Sequence, residues 1–186
     1  MLALATGTHV FWITSRAAGM AALLLASLSV CIGLAMGGRL IPRGTRDLRT
    51  THEALSLATM AALAVHALSL LGDSYLHPSL ADVTLPFASS YAQPWMTIGI
   101  LAGWLTILLG LSYYVRGRIG VQRWRMLHRF TAFAWLLGLV HALGEGTDTG
   151  AVWFLAPLAL VALPALVLLI ARMLGGVSTG GAVRRA

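Results

Sequence analysis

Five apolar stretches, each long enough to cross a bilayer as a helix, occupy most of this 186-residue chain, at about 17–36, 54–71, 95–115, 126–143 and 151–174. A bilayer core about 30 Å thick takes about 20 helical residues at about 1.5 Å each. Five crossings leave no room for a soluble domain between them. The composition agrees, with 58% hydrophobic and only 10% charged residues, far from an ordinary water-soluble domain. With their flanking turns the stretches give expected spans of about 12–36, 52–71, 95–115, 124–143 and 151–174, an all-α polytopic membrane bundle forming one domain over 1–186. The fourth carries Arg129, and Pro157 and Pro164 interrupt the fifth. The first reads as an uncleaved helix, since only Arg16 is basic near its start and no clean cleavage site follows. Thr50 and Glu53 have capping-box spacing, which predicts a second helix starting at Thr51, and Asp148 or Thr149 is expected to cap the fifth.

The net charge of +7 has a simple distribution. Every basic side chain is Arg. Arg39, Arg43, Arg46 and Arg49 fill the first connection, Arg116, Arg118, Arg123, Arg125 and Arg129 the third, and Arg172, Arg184 and Arg185 the C-terminal end. The other two connections hold Asp73, Asp82, Glu145 and Asp148 and no Arg. The positive-inside rule then puts the N-terminus outside and the C-terminus in the cytoplasm, with a bacterial cytoplasmic membrane as the expected location. Arginines dispersed over short loops do not make a nucleic-acid surface; membrane lipid, or an acidic cytoplasmic partner, is the contact they suit. The single cysteine, Cys31, excludes an internal disulfide and a multi-thiolate cluster, and no Cys-x-x-Cys-His run exists to attach haem covalently.

Four of the six histidines fall in the spans: His52 and His66, 14 residues apart on the second, and His128 and His141, 13 apart on the fourth. An intramembrane imidazole is a functional hypothesis by default. Fourteen residues separate two side chains by about 21 Å along the axis and turn them by only about 40°, so His52 and His66 share a face but never one ion. The second and fourth spans run in the same direction, which pairs His52 with His128 near the cytoplasm and His66 with His141 near the outside. Each level has two nitrogen donors and no acidic or thiol partner. That is too few for zinc, whereas haem iron needs only two axial ligands. Two bis-histidine b-type haems are therefore expected. The competing reading is four histidines that only pack helices and bond neighbouring carbonyls. One misfit stands against the pairing: 13 residues of ideal helix leave His128 and His141 about 140° apart, which Gly138, a helix crossing or an irregular turn has to correct.

These spacings, with the phrases Gly72-Asp73-Ser74-Tyr75-Leu76-His77-Pro78 and Trp124-Arg125-Met126-Leu127-His128-Arg129, resemble the ferric reductase-like transmembrane domain over roughly Trp12 to Leu174. That family includes the membrane part of ferric reductases and NADPH oxidases and the haem subunit of the periplasmic methionine sulfoxide reductase system. The resemblance implies that His52, His66, His128 and His141 are axial haem ligands and that the chain is an oxidoreductase or the electron-transfer subunit of one. No glycine fingerprint for a dinucleotide is present, so no flavin or nicotinamide site is expected here. The donor would be a separate flavoprotein or quinol, and the acceptor an extracytoplasmic reductase or small molecule. Two rivals stay open: a quinol-linked membrane cytochrome b, and a non-redox transport or metal-binding protein. The latter would need acidic partners inside the spans.

Among other residues, Arg16 and Arg129 are candidates to pair with haem propionates, with snorkelling to lipid as the bland alternative. Arg125 has the same two readings. Trp135, midway between His128 and His141, is a candidate to fill the gap between two haems or else simply core. Trp12, Trp95, Trp153 and Trp124 read as interfacial anchors. Gly99 and Gly103 have the small-x-x-x-small spacing of generic helix packing. In the long outer connection Gly72–Pro94, His77 and Tyr75 are candidates to touch the outer haem edge, an acceptor or a metal ion.

Overall fold

The computed structural model describes residues 2–38, 46–146 and 148–178. Arg39, Arg43, Arg184 and Arg185 lie outside the described residues. Among those described the chain is helical without strands. The helices are α1 (Leu2–Gly37), α2 (Arg46–Leu70), α3 (Leu80–Thr84), α4 (Gln93–Leu111), α5 (Arg116–Ile119), α6 (Val121–His128), α7 (Thr131–Glu145) and α8 (Val152–Ser178), with a 3-10 turn at Ser112–Val115. Five segments are long and apolar enough to span a membrane: His9–Gly37, Arg46–Leu70, Gln93–Ile119, Val121–Glu145 and Val152–Gly175. The five-span reading of the sequence holds.

The core lies where α1, α7 and α8 meet. Leu23, Trp135, Phe154, Leu158, Ala162 and Ala165 are buried there, and Ala165 is fully enclosed. Small residues let α8 approach α1 closely, as helices packed in lipid require. Outward, Leu160, Leu163, Val167 and Ile170 are exposed on α8, the surface that hydrocarbon would cover. Pro157 and Pro164 lie inside α8 without ending it. α2 packs along α1, and α4 packs along α7.

Three helix boundaries differ from the sequence reading. α2 starts five residues before Thr51, and the expected Thr50–Glu53 capping box is absent, because the Thr50 hydroxyl donates to the Arg46 carbonyl (3.1 Å) inside the helix. α8 starts at Val152, and instead of capping it Asp148 pairs with Arg16. Among the described residues a capping box forms between Ser79 and Asp82 at α3, a short helix within the connection between α2 and α4.

The fourth span is interrupted. α6 ends at His128, two residues follow, and α7 begins at Thr131. Across the break the bonds Arg129 N to Met126 O (3.3 Å), Phe130 N to Leu127 O (3.0 Å) and Ala132 N to Arg129 O (3.3 Å) all reach back three residues. A 3-10 step turns about 120° against about 100° in an α-helix, so three such steps recover about 60° of phase. This irregular turn brings His128 and His141 closer in phase.

Candidate functional site

The four intramembrane histidines meet in two pairs. The ring centres of His52 and His128 are 6.0 Å apart with planes at 89°. Those of His66 and His141 are 6.4 Å apart at 68°. All four are half-buried.

What surrounds each ring explains its position. The Nδ1 of His66 donates to the Ser15 carbonyl (2.8 Å), that of His52 to the Ser29 carbonyl (2.9 Å), and that of His141 to the Trp95 carbonyl (2.8 Å). The hydroxyls of Ser15 and Ser29 each lie 3.0 Å from the same Nδ1 atoms. A proton fixed on Nδ1 leaves Nε2 with its lone pair, the usual way a protein orients a metal-binding imidazole. Among the described residues no hydrogen bond engages Nε2 of any of the four. Carbonyl bonding and metal binding, set against each other by the sequence, are thus compatible.

Four residues beyond each accepting carbonyl stands a glycine. A Cβ at Gly19 would sit 2.9 Å from His66 Nδ1, at Gly33 3.1 Å from His52 Cε1, and at Gly99 2.6 Å from His141 Nδ1. One helical turn brings carbonyl and glycine onto the same face, so each imidazole rests in a notch cut by the missing side chain. Sequence reasoning passed over Ser15, Ser29, Gly19 and Gly33, and took Gly99 as generic packing. The signal was available: Ser-x-x-x-Gly occurs twice on α1 at a 14-residue interval, the interval of the histidines opposite. Gly103 has open space around it.

The fourth imidazole is held differently. His128 stacks on Trp124, ring centres 5.0 Å apart at 25°, and its buried Nδ1 has no hydrogen-bond partner.

The remaining candidates have surroundings of their own. Trp135 is 3% exposed in the α1–α7–α8 core, and its Nε1 donates to the Ser27 hydroxyl (2.9 Å). That puts Trp135 in the core, the packing role the sequence also allowed. Arg16 pairs with Asp148 and lies over the Trp12 ring at 4.1 Å, so its guanidinium is engaged on α1, next in sequence to Ser15. Arg129 is exposed beside an open groove of about 320 Å³ lined by Met126, Phe130 and Phe133. Arg125 is exposed as well. His77 and Tyr75 are exposed on the connection between α2 and α4. Trp95 is more than an interfacial anchor, since its carbonyl holds His141.

The family described as ferric reductase like transmembrane component matches residues 18–139, well over half of the chain. The chain belongs to this family. The match contains His52, His66 and His128 and stops two residues before His141. No match was found among curated proteins or among solved structures. Ferric reductase-like transmembrane domains generally bind haem and suggest transmembrane electron transfer.

The site's chemistry fits haem. Among the described residues no group of three or more His, Cys, Asp or Glu comes together, so a bare ion would lack ligands. An iron porphyrin brings four of its own. A first-row metal bonds imidazole nitrogen at about 2.0–2.1 Å and the ring centre lies about 1.1 Å behind it, so two axial rings have centres about 6.3 Å apart. The measured separations of 6.0 and 6.4 Å bracket that value.

Proposed function

We propose that this ferric reductase-like chain binds two b-type haems, one between His52 and His128 and one between His66 and His141, and conducts single electrons across the membrane. The observation that carries this reading is the near-equal separation of the two imidazole pairs, each matched to one axial pair. When bound, haem iron supplies the one-electron redox chemistry. The protein's residues do the rest. Ser15, Ser29 and the Trp95 carbonyl fix three tautomers, Gly19, Gly33 and Gly99 admit the rings, and the α1–α7–α8 core keeps the helices in register. Hydrocarbon around the spans excludes water from the pairs.

In this proposal the Arg-rich ends face the cytoplasm and the N-terminus faces outward, as the positive-inside rule directs. Electrons enter at the His52–His128 level from a separate flavoprotein or quinol. They leave at the His66–His141 level to an extracytoplasmic reductase or small acceptor. The chain acts as one transmembrane domain of a multi-pass protein in a bacterial cytoplasmic membrane.

The test is haem content and absorption spectrum of the purified chain and of its four single His→Ala variants. The expected result is about two haems per chain in the parent, with b-type bands on reduction, and a defect confined to one site in each variant. A haem-free parent from haem-replete cells overturns the proposal.

A further inference from the structure

The four imidazoles are not equally held, and the odd one is at the inner level. His52, His66 and His141 each donate Nδ1–H to a carbonyl and lie against a glycine. Among the described residues His128 has neither: its Nδ1 is buried and unpartnered, and no glycine is shown against its ring. Its backbone is less anchored too. His128 is the last residue of the eight-residue α6 and is followed directly by the break at Arg129–Phe130, whereas His52 lies within the 25-residue α2. The one ring that supports it, Trp124, has its own buried Nε1 without a partner.

We infer that His128 is a labile axial ligand, and that its departure opens the inner site, next to His52, to a small neutral diatomic ligand. This rests on the two-haem reading above. Losing an outer-shell hydrogen bond lowers a ligand's hold on its metal by about 10–100-fold, and only His128 lacks one. The outer pair, clipped on both sides, stays six-coordinate. The exchange breaks one iron–nitrogen bond and forms one bond to the incoming ligand, with no electron or proton transferred.

Carbon monoxide is the probe, titrated against the reduced, haem-loaded full chain. The expected outcome is one carbon monoxide per two haems. No binding, or two per chain, overturns the inference while two bound haems leave the functional reading standing; a parent without haem sinks both. In His128→Gly the count stays at one where both haems are kept and falls to zero where the inner haem is lost. A count of two, or carbon monoxide on the single remaining haem, puts the open site at the outer pair and overturns the inference. In Trp124→Leu, which keeps all four histidines, association is expected to be about tenfold faster, with Trp124→Phe restoring the parent rate by keeping a stacking ring. An unchanged rate in Trp124→Leu also overturns it.

Discussion

Ser15 and His66 are joined in both directions: the imidazole Nδ1 donates to the Ser15 carbonyl at 2.8 Å, and the Ser15 hydroxyl donates to the His66 carbonyl at 3.0 Å. The relationship ties the side chain and the backbone of one α2 residue to a single turn of α1. Fourteen residues along, the Ser29 carbonyl and Gly33 hold the His52 ring in the same way, while the His52 carbonyl accepts from the Ser56 hydroxyl instead (2.8 Å). α1 thus sets where both α2 histidines sit.

The glycine notches predict a sharp contrast. Gly19→Val places a branched side chain where the His66 ring is, since even a Cβ there comes to 2.9 Å of Nδ1. Haem content is expected to fall from about two per chain to about one, with the outer site lost. Gly103→Ala meets open space and is expected to leave the content unchanged. Haem quantification on both variants checks this.

Trp135→Phe separates packing from a cofactor role. The substitution removes the Nε1 bond to Ser27 and keeps an aromatic ring in the core. The expected cost is about 1 kcal/mol of stability in detergent, with haem spectra and content unchanged. A shifted haem spectrum would show instead that the indole contacts the cofactor.

Arg16 and Asp148 tie the α7–α8 connection to α1. Both side chains remain partly accessible, at 29% and 23%. A double-mutant cycle with Arg16→Ala and Asp148→Ala is therefore expected to give a coupling of only about 0.2–1 kcal/mol, weakened further by salt. Thermal unfolding of the four species measures it.

The connection between α2 and α4 carries an alkaline titration. A hydrogen bond to the Glu145 carboxylate, with desolvation adding to it, holds the Tyr91 phenol above its ordinary value. A raised value means the folded state binds that proton more tightly than the unfolded state does. The stabilisation is complete below the ordinary phenol range and is lost as pH rises through the folded value. Ultraviolet titration should find Tyr91 ionising later than a free phenol, and Glu145→Gln should return it toward the ordinary range.

The membrane class, the five spans and the four intramembrane histidines were legible in the sequence because each depends on local properties. Apolar length determines whether a helix can cross, and an interval of 14 residues determines that two side chains share a face. Helix starts were less legible at Thr50 and Asp148, where side chains able to cap a helix found other partners.

The pairing across helices was a matter for the tertiary structure. Whether His128 and His141 present themselves to α2 depends on a two-residue break that changes the helical phase, and no periodicity in the apolar pattern announces it. The notches at Gly19, Gly33 and Gly99 exist only because α1 and α4 approach the histidines closely. Trp135 could be assigned to the core only once α8 was packed beside it. Sequence by itself determined which groups are inside the membrane and at what depth, because hydrophobic length and helical rise act along one chain. Only the folded bundle decided which groups touch, because contact requires the rotation and approach of separate helices, and these are set by packing between them.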